Sequence, residues 1–516
     1  MKLKYIIPFS LLGAIIISGC KKDFLKTEPT GFITPEQLGE ASKQDPSLLN
    51  GSISGLYTTM FSTGVGGTSG PDDFGQKGID IYSDMLSSDM VLGALNYGWY
   101  SPIARLQATV DFTTDEDYVP WRYYYRQVFG ANAIIDILGG TDAVPETVPL
   151  KQTMGQAKAM RAYGYFYLSQ LYAPDYGDGT TKILPIYTTT DATKANQPKS
   201  TAKEVWDLMI SDLQTAITYL DGFQRTSKDQ VDQNVAKGLL AYVLAARGTQ
   251  EDWAEVATLC EDIKNAYPKT TPVELVFNGT NLNEAGFNNV ATPSWMWGVD
   301  LTLAQGLTLA SWWGQVDLFT YSYAWAGDPK TIDEGLYDKI RTDDIRKGQF
   351  DPPNGGAESE YAGDPDYYLP GDFDYMPINK FYDPARKPGV QRRITTDYLY
   401  MRADEFYLMY AEAEAYLGHD DEARQALSSY LSDRITDVSY IDNLSGQQLK
   451  DEINLQTRIE FWGEGKSYLV MKRDKATITR GPNHLFFDGD SFQYNDPKLT
   501  FLIPQAEELN NPNLNK

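Results

Sequence analysis

The stretch YLYMRADEFYLMYAEAEAYL, Tyr398 to Leu417, constrains the fold of this chain more than any other. Leu399, Ala403, Phe406, Met409, Tyr410, Ala413, Tyr416 and Leu417 recur at three- and four-residue spacing, the signature of one apolar helix face. Met401, Leu408, Ala411 and Ala415 form a second stripe roughly opposite the first. A helix apolar on two faces must be buried between neighbours. Gly418 supplies a stop, because glycine enters the left-handed conformation at little cost. The acids of His419-Asp420-Asp421-Glu422 suit the start of a following helix. The unit predicts two antiparallel helices within a stack of such pairs.

The pairing recurs upstream. Helical patterns run over Asn50 to Phe61, Tyr118 to Leu138 and Thr153 to Tyr172, the last apolar nearly all round and therefore buried. Thr201, with Glu204 three residues on, caps a helix through Leu220. Asn234 to Arg247 and Trp253 to Ala266 follow, and beyond a long interruption come Glu422 to Ile435 and Gln447 to Trp462. Helix pairs of about 35 residues with small residues at their contacts are similar to tetratricopeptide repeats, at irregular intervals. The fold class expected is mainly α, a tetratricopeptide-like scaffold carrying long irregular loop insertions. Gly64 to Gly78 reads as loop, and Pro29 and Pro35 as blocks to a long helix near the start.

The beginning of the chain is an address. Lys2 and Lys4 precede an apolar run from Tyr5 to Ile17, too short to span a bilayer comfortably and ordered like a secretory signal. Its ending, Ile17-Ser18-Gly19-Cys20, resembles the lipobox of bacterial lipoproteins. That resemblance implies cleavage before Cys20, which then carries lipid (palmitate) at the mature N-terminus. Residues 1–19 are thus expected to be signal peptide, 20–45 a tether, and 46–516 one unit. Its helical parts are expected at about 46–266 and 398–475, a loop-rich insertion at 267–397, and an irregular end at 476–516. With Cys20 lipidated, Cys260 has no intramolecular partner. A net charge of −25 argues against nucleic acid.

Catalytic patterns are sparse. Two histidines, His419 and His484, nearly exclude zinc sites and triads built on several histidines. Gly463-Glu464-Gly465-Lys466-Ser467 fails as a phosphate loop because Glu460 stands where the first glycine is needed. Seventy acids leave paired carboxylates for glycoside hydrolysis open. Asp364 and Asp366, Asp372 and Asp374, and Asp488 and Asp490 stand two apart as in calcium loops, without the full spacing; turn formation is the competing reading. No cofactor is expected, calcium being the one weak possibility.

The interruption is rich in Gly, Pro, Asn, Asp and aromatics, and a long loop inside a compact protein usually carries function. It holds Trp295, Trp297, Trp312, Trp313, Tyr321, Tyr323 and Trp325; Tyr97, Trp99 and Tyr100 add a cluster upstream. Sugars offer apolar C–H faces and polar rims, so aromatic platforms near Gln315, Asp317 and Asp300 suit them. Packing of the loops onto the helices is the competing role for each ring. The expected ligand-binding set is Trp99, Tyr100, Trp295, Trp297, Trp312, Trp313, Tyr321 and Trp325.

Several segments, in order along nearly the whole chain, resemble the SusD/RagB family of outer-membrane nutrient-binding lipoproteins of Bacteroidetes. Cys20-Lys-Lys-Asp23-Phe24-Leu25 is similar to its Cys-x-x-Asp-Phe-Leu opening. Ala157 to Tyr176 with Leu184-Pro185 resembles its Arg-Ala-Tyr-x-Tyr-Phe helix and exit. Asp343-Asp-Ile-Arg346 resembles its Asp-x-Arg element, and Arg402 to Ala413 its Arg-x-x-Glu-x-Tyr-Leu-x-Tyr-Ala-Glu-Ala helix. Arg458 to Gly465, and Ile503-Pro504-Gln505 with Asn511-Pro512-Asn513, are similar to its two C-terminal signatures. Ser467 and Val470 depart from it, standing where the family has arginine and aspartate. The resemblance implies a surface-exposed, lipid-anchored, non-enzymatic binder of oligosaccharide, or of peptide in RagB-like relatives. It also implies a SusC-type TonB-dependent transporter as partner, with no shared catalytic residues.

Overall fold

The computed structural model describes residues 33–282, 284–353 and 373–516. The signal peptide, Cys20 and most of the tether lie outside that set, as do Asp364, Asp366 and Asp372. The first described helix, Pro35–Gln44, begins with the proline that was expected to block one. Thr34 caps it and Gln37 reaches back in a capping box, and proline's missing N–H is no loss in a first turn.

The scaffold is a succession of helices, each packed on the next. Asp115–Ile137 lies on Val148–Tyr172, which lies on Ala202–Tyr219, then Gln233–Arg247, then Gln250–Ala266. Val148–Tyr172 is buried without a break from Thr153 to Tyr172, as its all-round apolar pattern requires. Gly164 lets it approach its neighbour: a Cβ there would sit 3.1 Å from the Tyr124 carbonyl oxygen and 2.9 Å from a Val128 methyl. The Thr201–Glu204 capping box forms as expected.

The succession then resumes across the long interruption. Asp404–Leu417 packs directly on Gln250–Ala266, and on Asp420–Leu431 and Gly446–Glu460 beyond. Gly418 ends the Asp404–Leu417 helix at φ 82°. The helix starts six residues later than its periodicity predicts. Tyr398–Arg402 is a strand instead, paired antiparallel with Trp295–Val299. Large aromatic and aliphatic residues favour a pleated, packed surface, and every residue of both strands is buried, so their backbones need each other. The interruption is therefore not all loop. Its Lys330–Ile332 strand pairs antiparallel with Met90–Leu92.

A helix that starts within the last three residues of the expected loop at 64–78, Gln76–Leu86, is also buried throughout. Its polar residues mask the apolar period, and three of them satisfy one another: Lys77 pairs with Asp80 at 2.8 Å, and Gln76 donates to Asp80 at 2.8 Å. Cys260 is buried with a free thiol.

Insertion and scaffold meet on a buried charge network. Arg402 binds Glu464 at 2.8 Å, Glu460 at 2.9 Å and Asp404 at 3.0 Å. Arg434 binds Asp404 at 2.7 Å. From the inserted stretch, Arg346 reaches Glu460 at 3.0 Å and Asp344 at 2.7 Å, and Lys380 reaches Glu464 at 2.9 Å. Four cations thus meet four carboxylates, all nearly or fully buried. Burial alone would push Glu460 up, but the Arg434, Arg402 and Arg346 guanidiniums override it and hold its carboxyl well below the usual range. All of these residues except Arg434 and Lys380 belong to the Asp-x-Arg, Arg-x-x-Glu and Arg458-to-Gly465 segments. The departures at Ser467 and Val470 are buried too, so a neutral pair fills that spot.

Candidate ligand-binding site

The Met90–Leu92 and Lys330–Ile332 strands run antiparallel with Leu92 opposite Lys330, which brings the chain after Leu92 against the chain before Lys330. Asp328, fully buried, fixes that meeting. Its carboxylate accepts the backbone N–H groups of Asn96 at 2.7 Å, Tyr97 at 2.8 Å, Gly98 at 2.8 Å and Trp99 at 3.3 Å. The Asn96 side chain adds a bond to the Ala326 carbonyl at 2.6 Å. Gly98, at φ 81°, makes the tight turn possible. The turn throws Tyr97 outward, 60% exposed, and leaves Trp99 half-buried.

Both rings meet Tyr323 edge-on, Tyr97 at 5.3 Å and Trp99 at 6.0 Å between centroids. Burial raises the Tyr323 hydroxyl's pKa, and a hydrogen bond from Trp99 works against that rise. Two residues away along the chain, Tyr321 meets Trp325 at 5.3 Å. The Tyr97–Trp99–Tyr323 shelf stands between two clefts. One of about 560 Å³ is lined by Leu95, Asn96, Ala324, Gly327 and Tyr375 among others; one of about 280 Å³ holds Trp99, Asp72, Asp115 and Glu116. Beneath the shelf, burial pushes Asp72 up to about 6 and Lys330 down to about 8. Asp317 anchors the segment leading to Tyr321, accepting from the N–H groups of Phe319, Thr320 and Asp383 at 3.0 Å each.

The structure divides the expected binding residues. Trp99, Tyr321 and Trp325 are part-exposed; Trp99 belongs to the shelf, and Tyr321 and Trp325 flank Tyr323 along the chain. Tyr100, Trp295, Trp297, Trp312 and Trp313 do not: none is more than 1% exposed, so these five offer a ligand no surface, and their role is packing. Trp297 packs on Tyr163 and Tyr400, and Trp312 lies under the Lys77 ammonium and against Phe381. Tyr97 and Tyr323, seen in the sequence as members of the aromatic clusters, complete the site. Nothing in the sequence pairs them, since the contact depends on a strand register set far along the chain. Among the described residues no group of three or more His, Cys, Asp or Glu side chains could hold a metal ion. Asp488 and Asp490 flank Gly489, which turns the chain at φ 77°.

A larger cleft, of about 740 Å³, lies along the Asp115–Ile137 helix, lined by Arg122, Tyr125, Arg126, Phe129, Tyr187 and Lys194 among others. Volume alone would favour it. Its tyrosines are engaged, however: Tyr125 packs on Trp121 at 4.7 Å and on Tyr187 at 5.8 Å, leaving Phe129 as its one largely exposed ring. The shelf also presents part-exposed rings, and it differs in carrying two of them on a turn whose backbone one buried carboxylate locks.

Asp328 thereby becomes a test of the shelf's construction. Asp328→Ala leaves four N–H groups without their acceptor, and such a loss costs about 1–3 kcal/mol per buried group left unpaired. The expected result is faster amide exchange across residues 96–99 with the far helices unchanged. Unaltered exchange there would remove Asp328 as the anchor.

A family model described as starch-binding and associating with the outer membrane matches residues 83–244, and one described as the SusD family matches residues 330–515. The chain belongs to the SusD/RagB family. Solved SusD structures share its architecture. A SusD-like carbohydrate binding protein from Bacteroides vulgatus superposes with a TM-score of 0.71 at 22% identity, over 90% of this chain and 96% of that one. A SusD superfamily protein from Bacteroides thetaiotaomicron gives 0.70 at 19%, over 90% and 98%. These establish the mainly-α SusD fold. A SusD-like protein of Formosa agariphila is 29% identical over 178 residues, 34% of this chain and 32% of its own length. A second from the same organism is 30% identical over 105 residues, 18% of its length, so these matches span a third or less of the curated relatives. The SusD family is one of binding proteins, and among the described residues no helix is long and apolar enough to cross a membrane.

Proposed function

We propose that this SusD-family protein is a lipid-anchored surface lipoprotein that captures an oligosaccharide on the Tyr97–Trp99–Tyr323 shelf. It then hands the sugar to a SusC-type TonB-dependent transporter in the outer membrane. The observation that carries this reading is the shelf itself: three rings held at fixed angles, part-exposed between two clefts, on a turn clamped by one carboxylate. Rigid rings lose little entropy on binding, and the C–H faces of a pyranose match them. The starch-binding description of the matching family model and the carbohydrate-binding relative support the choice of sugar. The Cys20 lipobox supports the anchor.

The mechanism asks only for stacking, desolvation and release, with no bond made or broken. Calorimetric titration of the mature chain lacking Cys20 against a polysaccharide panel is expected to find saturable binding with no new reducing ends. Trp99→Ala and Tyr97→Ala should each weaken it about tenfold, the affinity equivalent of about 1.4 kcal/mol per ring. Release of sugar would make the protein an enzyme. Binding confined to peptides, or insensitive to both substitutions but lost in Phe129→Ala, would move the site off the shelf.

A further inference from the structure

We infer that the ligand of this shelf carries negative charge, and that Arg392 is the residue that reads it. The inference rests on the shelf reading above and adds the class of sugar: an oligosaccharide bearing carboxylates or sulfate esters.

The observations begin with charge. The protein is strongly acidic overall, at −25, yet the segment PARKPGVQRRITT between Asp383 and Asp397 holds four cations and no acid. The two flanking aspartates are buried and occupied: Asp383 accepts the Ala385 N–H, and Asp397 accepts those of Val290 and Leu301. Arg386 turns inward, donating to the Ile378 carbonyl at 2.8 Å and lying over Phe277 and Phe319. The other three, Lys387, Arg392 and Arg393, are exposed, and among the described residues their side chains have no carboxylate partner.

Geometry then ties one of them to the segment that carries Tyr323. The segment is pinned to the shelf's own strand of chain. Tyr321 donates its N–H to the Gln391 carbonyl at 2.7 Å, Thr320 and Gln391 form a parallel bridge, and Gly389 donates to Leu318 at 3.0 Å. Gly389, at φ 63°, passes so close beneath Trp325 that a Cβ there would lie 2.2 Å from the indole. Arg392 stands three residues on, its guanidinium carbon 3.9 Å over the Tyr321 ring. The ring fixes the guanidinium, while its planar fork of N–H donors is free to take an oxyanion.

A guanidinium held by a ring face loses less freedom on binding than a mobile lysine, and its fork matches a carboxylate or sulfate edge. Lys387 and Arg393 add a local positive potential that draws an anionic chain against the repulsion of the rest of the surface. Among the described residues, a neutral glycan would leave all three cations without a counter-charge.

The test is titration with three probes: oligogalacturonate for the carboxylate source, carrageenan oligosaccharide for the sulfate source, and maltoheptaose as the neutral arm. The variants are Arg392→Gln, Lys387→Gln/Arg393→Gln and Trp99→Ala, each checked by thermal unfolding, which Arg392→Gln should leave unmoved. One anionic probe is expected to bind, at least tenfold more weakly in Arg392→Gln, with a shallower dependence on salt in that variant. Which of the two binds identifies the anionic group. If maltoheptaose binds in a Trp99-dependent way and Arg392→Gln changes it by less than twofold, this inference falls while the shelf stands. If an anionic probe binds and responds to Arg392 but not to Trp99, the shelf reading falls. Binding of neither anionic probe overturns the inference.

Discussion

Glu460→Ala will lower the unfolding free energy of this protein by about 3–5 kcal/mol, the usual cost of removing one partner from a buried ion pair. The reason is arithmetic of charge. Glu460 faces the guanidiniums of Arg346, Arg402 and Arg434, and its loss leaves them sharing Asp344, Asp404 and Glu464, with Lys380 also drawing on Glu464. None of these side chains has water to turn to, because all are nearly or fully buried. Urea unfolding followed by tryptophan fluorescence measures the effect, with the exposed Glu508→Ala as a control expected within about 0.5 kcal/mol of the parent. A Glu460→Ala protein as stable as its control would mean that the network is neutral and packing alone joins insertion to scaffold.

Trp312→Ala is expected to cost about as much, about 3–5 kcal/mol, by a different route. The ring is 1% exposed and filled in on both sides, by the Lys77 ammonium 4.3 Å from its centroid and by Phe381 at 5.4 Å. Deleting it opens a cavity and removes the cover of a buried cation. The thermal midpoint should fall clearly, while sugar affinity, measured well below that midpoint, stays within about threefold. A stable variant that had lost binding would restore Trp312 to the ligand site and refute its assignment to the core. Trp313→Ala should behave in the same way, for the same burial.

These two substitutions mark how much the sequence could say. The stack of helices was legible because burial on two faces forces a repeated apolar spacing, as in Val148–Tyr172 and Asp404–Leu417. Helix ends with a chemical signal, such as the Thr201–Glu204 box and Gly418, were legible as well. The Tyr398–Arg402 strand was not, because five buried residues fit a helix or a strand equally until a partner strand is known. Gln76–Leu86 was hidden by polar residues that are satisfied only in three dimensions.

The aromatic clusters show the same limit at the site. Composition marked the aromatic stretches, yet an indole that covers a core and one that meets solvent read alike. Trp99 and Trp312 differ in what lies above them, which depends on the meeting of Met90–Leu92 with Lys330–Ile332. The role of the Asp344–Arg346 and Arg402–Glu405 segments was equally invisible: their spacing identifies a family, and only the fold shows them sharing one charge centre.

That charge centre bears on how such a protein can change its diet. The chain leaves the helical stack after Ala266 and rejoins it at Asp404, on the same neighbouring helix, so the excursion between looks like a cassette that could be exchanged for another. It is not a free one. Arg346 and Lys380 sit inside the excursion, and their counter-charges, Glu460 and Glu464, sit in the stack. A graft that brings new loops without a matching arginine and lysine would leave Glu460 and Glu464 to Arg402 and Arg434 alone in the interior. On the proposed reading, variation in what is captured would be confined to the segments between those two fixed posts and around them, including the turn at Tyr97 and the basic run at Arg392, while the posts themselves travel with every cassette.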